Sequence, residues 1–453
     1  MKKRTVKILT GIAIVLVVLG LIYAIAVSVS SAKLRQAYAD LKKDGRPMLP
    51  GQVIPREVAD ENNAALLYKG IAIVLKAQPA PEKNLLEYLG DLSNTFIKES
   101  LDTDKLAKLK QMIGQGVVTQ ALSIVEQGTR RSSCRFELNY DDGIIMQLPH
   151  LSGMRNLSRI FCAKTYIEAK NGNPEIAWDM VPTQLKFADA LRSEPVLISQ
   201  LVRIAMIRLS CNTIRKLCEI APPNTQQVSD TQSLLRDFDD IRTLIFSIDA
   251  DRLLLGEWVF SLPKYKLFNL NLHNNQQEDS GLIFRLLYYG IILKPVFLAD
   301  HAAYLRFMRE GARFAERPYS REQGEILEKG VQKKRYILTS TLAPALYRVK
   351  QIHSEMIAEV RITQAGLALL QYKQKQDAFP ATLEALKLQN INDPFSDGLL
   401  SYKTEGQGFV LYSIGPDQKD NNGSPRQKKQ ETDWDIVWLF PGRQQSEKTR
   451  NYL

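Results

Sequence analysis

The chain has 453 residues, 45% of them hydrophobic and 24% charged, which is enough apolar material for sizeable cores and too much for a disordered chain. Its 25 Gly, 20 Pro and 4 Cys exclude a collagen-like repeat and a miniature scaffold held by disulfides. The net charge is +11, from 60 Lys and Arg against 49 Asp and Glu, but the cations occur in short runs such as Arg130-Arg131 and Lys333-Lys334-Arg335. Aromatics do not interleave with those runs as a single-strand-binding groove requires, so no nucleic-acid partner is expected.

The N-terminus carries an address. Lys2, Lys3, Arg4 and Lys7 precede an uncharged stretch from Ile8 to Ser31 that is mostly Ile, Val, Leu, Ala and Gly. About 20 such residues cross a bilayer core as a helix, and the cationic flank favours keeping that end in the cytoplasm. Residues 8–31 are therefore expected to contact the lipid bilayer as a transmembrane helix, with 1–31 forming a cytoplasmic tip and anchor. Ser30-Ser31-Ala32 would suit a signal peptidase, but the apolar run is longer than the 7–15 residues usual for a cleaved signal. The rest of the chain is then expected outside the cytoplasm, attached to the inner membrane. Lys33, Arg35, Lys42 and Lys43 beyond the span weaken the charge contrast that sets this orientation.

Residues 32–58 read as a juxtamembrane helix followed by a linker broken by Gly45, Pro47, Pro50, Gly51 and Pro55. Residues 59–335 read as a mainly helical domain. Asp60-Glu61-Asn62-Asn63 supplies caps before Ala64, Leu66, Leu67, Ile71 and Leu75, and Pro79 and Pro81 close that helix. A second helical pattern runs from Lys105 to Val125. Between Cys134 and Leu148 the rhythm changes: Phe136, Leu138 and Tyr140 alternate up to Asp141-Asp142-Gly143, which predicts a β-hairpin near 134–148. Adjacent Asp141 and Asp142 could ligate or catalyse, although a turn is their ordinary setting.

A helical hairpin follows, turning at Asn171-Gly172-Asn173-Pro174, then a helix from Val196 to Cys218. No second copy at a fixed period makes this a repeat array. The apolar segment Leu282 to Leu298 includes Arg285, Lys294 and Pro295, so a buried or interfacial helix is expected there rather than a second span. His150, His273, His301 and His353 show no zinc-site spacing. Cys134, Cys162, Cys211 and Cys218 form no CxxC pair; buried free thiols are expected, and a Cys134–Cys162 bond stays open.

Residues 336–453 read as an α+β module. A long apolar stripe, including Leu346, Val349, Met356, Val360, Leu367 and Leu370, precedes three strand-like runs, Leu399 to Lys403, Gly408 to Ser413 and Trp434 to Leu439. Gly406 and Gly408 shorten the first connection to a hairpin, and a long helix on a small antiparallel sheet would bury both apolar faces.

Ordered features of this module carry a family likeness: Leu369-Leu370-Gln371-Tyr372-Lys373, Phe379-Pro380, Leu383-Glu384-Ala385-Leu386, Asp393-Pro394-Phe395, Tyr402, the run from Gly408 to Asp417, and Asp435-Ile436. It resembles the soluble domain of the major pseudopilins of type II secretion systems. The resemblance implies calcium in the loop joining the last two strands, with Asp417 and Asp435 at ligand positions and Asp420 nearby; oxygen donors suit that hard cation. The loop departs from the pattern in Asn421-Asn422-Gly423 and the basic insertion Arg426-Gln427-Lys428-Lys429. The anchor also lacks a pseudopilin's leader-and-Glu signature, which argues against polymerisation as a pilin. The whole chain is similar to membrane-anchored bacterial proteins that end in such a tail, a likeness that supplies architecture and no activity.

No phosphate loop, GxSxG elbow or metalloprotease motif occurs, and Gly114-Gln115-Gly116 lacks the third glycine of a dinucleotide fingerprint. The acid clusters Asp237, Asp239, Asp240 and Asp249, Asp251 could serve a hydrolase or simply be solvated. The sequence thus points to a single-pass, extracytoplasmic scaffold or interaction protein of the bacterial envelope, with envelope protein partners in secretion or pilus-like machinery. The rival is an envelope hydrolase of peptide or glycan; a third reading is an anionic polymer held by the basic surface.

Overall fold

The computed structural model describes residues 2–80, 83–98, 101–263, 293–331, 336–426 and 433–441. The architecture is mainly helical, with one small sheet near the C-terminus. Helix α1 (Lys2–Lys43) is continuous through the expected anchor and the juxtamembrane segment. Its two halves lie in different surroundings. Apolar side chains from Val6 to Val29 are exposed, whereas Leu34, Ala37, Tyr38 and Leu41, spaced as one helical face, pack into a core.

The body begins with α2 (Ala64–Ala77), α3 (Leu85–Lys98), α4 (Thr103–Ile113) and α5 (Gly116–Gly128). As the capping residues imply, Asn63 closes the start of α2, its side chain accepting from the Ala65 amide at 3.1 Å. The single helix expected over Lys105 to Val125 is instead two. The chain turns at Gly114-Gln115, where the Gly114 and Gln115 amides bond back to Lys110 and Met112. Two glycines within three residues made that stretch the weakest part of the helical pattern.

The β-hairpin expected near 134–148 does not form. Residues 134–139 run extended without a strand partner, and Tyr140–Ile145 is a 3-10 turn. Side chains take the place of a pairing strand: Asn63 accepts from the Arg135 amide at 2.9 Å and donates to the Arg135 carbonyl at 2.8 Å. The Asp-Asp-Gly turn is held by a tertiary contact, in which Trp258 donates its indole N–H to the Asp141 carbonyl at 2.7 Å. Gly143, at φ +55°, lies so close to that ring that a Cβ there would fall 2.1 Å from it.

Helices α6 (His150–Lys170) and α7 (Pro174–Asp189) form the expected hairpin, with Gly172 at φ +86° and Pro174 opening the second helix. Helices α8 (Leu197–Ile220), α9 (Thr225–Arg236) and α10 (Arg242–Asp251) follow, the last running through a π turn at Arg252–Glu257. Of the apolar segment from Leu282 to Leu298, residues 282–292 lie outside the described residues, as do His273 and the basic run 333–335. Helix α11 (Lys294–Glu316) packs along α1, and α12 (Arg321–Val331) leads on to α13 (Leu346–Gln376).

Strands β1 (Ser401–Glu405), β2 (Gly408–Ser413) and β3 (Ile436–Phe440) pair antiparallel in chain order, with Tyr402 opposite Leu411 and Leu411 opposite Trp438. The Gly406-Gln407 turn between β1 and β2 has Gly406 at φ +58°. Helix α13 is buried well beyond the single stripe visible in the sequence. It lies against α8 and α9 on one side and against β2 and β3 on the other. Gly366 permits the sheet contact, because a Cβ there would meet the Trp438 ring at 1.9 Å. One core consequently extends from Ala64 in α2 to Trp438 in β3, and a second joins α1, α10, α11 and the start of α13.

Candidate functional site

The most heavily built polar region lies where α1 leaves its exposed half and enters the body. Asp44, just past the helix end, accepts from Arg309 Nε at 2.7 Å and Nη2 at 3.2 Å, and from Arg313 Nε and Nη2, both at 3.0 Å. Asp40, one turn earlier, receives Arg309 Nη1 at 3.4 Å. Two arginines one turn apart on α11 thus grip the last turn of α1 in fork-to-fork geometry. Behind them, Arg46 pairs with Asp249 at 3.3 Å and with Glu316. Arg252 is fully buried; it contacts Glu257 at 2.9 Å and Asp249 at 3.7 Å, and donates to the Pro47 carbonyl. Tyr38 of α1 donates to Glu257 at 2.5 Å, and its ring edge meets His301, which stacks on Phe260 at 4.2 Å. These contacts fix the direction of the apolar helix relative to the body.

The Arg309 hydrogen bond to Asp44, reinforced by Arg313, holds the Asp44 carboxyl down at about 2, below its ordinary 3.8. A carboxyl depressed in the folded state stabilises it above the unfolded pKa, and that contribution is lost as pH falls from about 4 to about 2. Hydrogen exchange corrected for intrinsic rates should therefore show protection of the Leu41–Arg46 amides at pH 5 and its loss toward pH 2. Asp44→Asn should abolish this pH dependence and expose the same amides already at pH 5.

The C-terminal loop closes on itself. Asp435, buried, accepts amides from Gly423 at 2.7 Å, Ser424 at 3.1 Å and Asn421 at 3.3 Å, and burial pushes its carboxyl above the ordinary range. Asp417 accepts from the Asn421 side chain at 3.0 Å and the Lys419 amide at 3.3 Å, while Asp420 takes Tyr412 Oη at 3.0 Å and the Asn422 amide at 2.8 Å. Arg426 lies over the Trp434 ring. Among the described residues, no group of three or more His, Cys, Asp and Glu side chains is placed to hold a metal ion. The carboxylates expected to bind calcium serve here as acceptors for backbone and side-chain donors. Asp393 was legible only as the start of a turn. Buried, it ties the loop to the sheet through Ser413 Oγ at 2.7 Å and the Ile414 and Phe395 amides at 2.8 and 3.0 Å.

Asp239, Asp240, Asp251 and Asp142 go to structural partners. Asp239 holds Arg361 in a two-point pair at 2.8 and 2.9 Å, and Asp240 receives the Arg242 amide and Nε. The Asp237 carbonyl accepts from Arg192 at 2.6 Å. Asp251, whose carboxyl burial pushes up to about 7, accepts the Leu197 amide at 3.0 Å. Asp142 accepts from Asn139 at 2.9 Å within its own turn. All four cysteines are free; burial pushes the Cys162 and Cys211 thiols up to about 12, where they stay protonated.

One buried cluster has the composition of a catalytic triad. His150 Nε2 meets the Glu194 carboxylate at 2.9 Å, and Ser199 donates to the same carboxylate. The order is wrong for nucleophilic catalysis, in which the imidazole must lie between hydroxyl and carboxylate. Ser199 is also fully buried and Phe136 covers the imidazole at 4.0 Å, so the cluster fastens the start of α6 to the α7–α8 corner. Burial likewise holds His353 neutral, its pKa pushed down to about 3.

Comparisons with known protein families, with curated proteins and with solved structures give no match. Among the described residues, one helix is long and apolar enough to cross a membrane, and it is α1.

Proposed function

We propose that the protein is a single-pass scaffold or interaction protein of a bacterial envelope, anchored by α1, with its body outside the cytoplasm. The observation that carries this reading is the division of α1. Its exposed apolar half, Val6 to Val29, would extend roughly 36 Å as a helix, enough for a bilayer core, and the same helix continues into a docked half without a break. Ser30 is buried and Ser30-Ser31-Ala32 is helical, which supports an uncleaved anchor over a signal peptide. The basic residues before the span support a cytoplasmic N-terminus.

The C-terminal unit, a long helix on a three-stranded antiparallel sheet, has the layout that the resemblance to pseudopilins implies, and the docking role proposed for it toward secretion or pilus-like machinery rests on that resemblance. The protein should remain in the membrane pellet after alkaline carbonate washing, and protease added to spheroplasts should digest the body while sparing an N-terminal tag. Release into the soluble fraction, or a body cut only after lysis, would overturn the assignment. Crosslinking in intact cells from exposed sites on β1 should capture envelope proteins; recovery of an uncrosslinked monomer from every site would remove the docking role.

A further inference from the structure

A cavity of about 650 Å³ opens between the 52–58 linker, the start of α2, the 128–135 segment and the α7–α8 corner. Arg56, Arg131, Arg135, Lys186 and Arg192 line it, with Asp189 as its one carboxylate. Asp189 does not neutralise them, because it is already shared by Arg192 at 2.8 Å and the buried Arg203 at 2.6 Å. Among the described residues, no carboxylate lies within ion-pair distance of Arg56, Arg131, Arg135 or Lys186. The nearby acids Glu57, Asp60 and Glu137 line a neighbouring groove that shares Val58, Tyr68 and Arg135 with the cavity.

Two of the guanidinium groups are positioned by the backbone rather than by acids. Arg131 donates to the Asp60 and Asn63 carbonyls at 2.8 and 2.7 Å, and Arg135 donates to the Pro55 carbonyl at 3.2 Å. Carbonyl contacts hold these side chains in place and leave their charge uncompensated. Unpaired cations converging on a concave surface raise the local concentration of anions, and guanidinium forks match phosphate oxygens in pairs. Val53, Tyr68 and Phe246 add apolar wall, and the volume is that of a small-molecule site. Cys134 also lines the cavity, but burial, with Glu194 adding, pushes its thiol up to about 12, so it supplies no thiolate nucleophile.

The geometry points to a binding site for a phosphate ester, the anion held by Arg56, Arg131, Arg135 and Lys186. This inference does not depend on where α1 resides. A free phosphorylated metabolite and a lipid headgroup share that chemistry, so the test has two arms. The full chain in neutral detergent is titrated calorimetrically with inorganic pyrophosphate and with dihexanoyl phosphatidic acid, dihexanoyl phosphatidylcholine serving as control. Among the described residues, the exposed Arg56 and Lys186 side chains have no hydrogen-bond partner, so the Arg56→Gln/Lys186→Gln variant should melt as the native protein does. It should bind the phosphate probe about tenfold more weakly. Binding of pyrophosphate supports the free-ester source, and binding of phosphatidic acid alone supports the headgroup source. Silence from both probes at millimolar concentration, or binding that the double variant leaves unchanged, overturns the site.

Discussion

Arg252→Ala should cost roughly 3–5 kcal/mol of folding stability, the usual penalty for stripping a buried ionic group of its counter-charge. The side chain is fully buried and joins three separate pieces: the Pro47 carbonyl of the linker, Glu257 of the π turn and Asp249 of α10. Removing it leaves, among the described residues, Glu257 with Tyr38 and His301 and Asp249 with Arg46. Arg252→Met, which keeps the bulk and loses the charge, should recover little if the electrostatic account holds. The sign of the pH effect is fixed. Burial already raises the Asp249 carboxyl above its ordinary range and Arg252 is the main influence holding it down, so without Arg252 it binds a proton more readily in the folded state, and the variant's deficit should be smaller at pH 5 than at pH 8. Urea denaturation in detergent at the two pH values measures this, and a deficit under 1 kcal/mol, or one that widens in acid, would contradict the account.

Arg208→Ala should loosen the seam between α8 and α13. Arg208 reaches Glu355 at 3.0 Å and Glu359 at 2.8 Å, while Arg215 supports Glu359 at 3.2 Å. Its loss leaves two largely buried glutamates one turn apart on α13, Glu359 still paired with Arg215 and Glu355 facing only the more distant Arg348 at 3.9 Å among the described residues. The Arg208 side chain is about a third exposed (32%), so water offsets part of the penalty and a loss of about 2–3 kcal/mol is expected. Trp178 on α7 and Trp438 on β3 flank this seam within one core. Their fluorescence should therefore change in one transition, shifted to lower denaturant. Two separated transitions in the native protein would mean that the C-terminal unit melts on its own.

The parts of the fold that were legible in the sequence are those whose hydrogen bonds and apolar contacts are local. The long apolar N-terminal helix, the Asn63 cap, the α6–α7 hairpin around Gly172 and Pro174, and the Gly406 turn each depend on residues within a few positions of one another. The segment 134–148 failed for the converse reason: its alternation resembles a strand, but Asn63 and Trp258, about 70 and 117 positions away, take up its polar groups. Period alone cannot reveal such distant competitors. Long-range pairs are equally hidden. Asp44 with Arg309 and Arg208 with Glu359 look like ordinary surface charges in a linear reading, and the cationic cavity draws its lining from Arg56 through Lys186. The stripe on α13 was visible, but its second buried side was not, because small residues such as Gly366 and Ala365 carry no strong apolar signal while allowing the closest approach.

The insertion of α13 between the early helices and the sheet sets an order of assembly. A polypeptide made from its N-terminus presents α2 to α9 long before residues 346–440 arrive, so the early helices must wait with the face meant for α13 uncovered. Contacts of such large sequence separation form slowly, and a partly made core is prone to aggregate. Maturation of this protein should accordingly depend on holdase chaperones in whichever compartment receives the body, and chains truncated before Leu346 should be degraded rather than persist as a smaller helical domain.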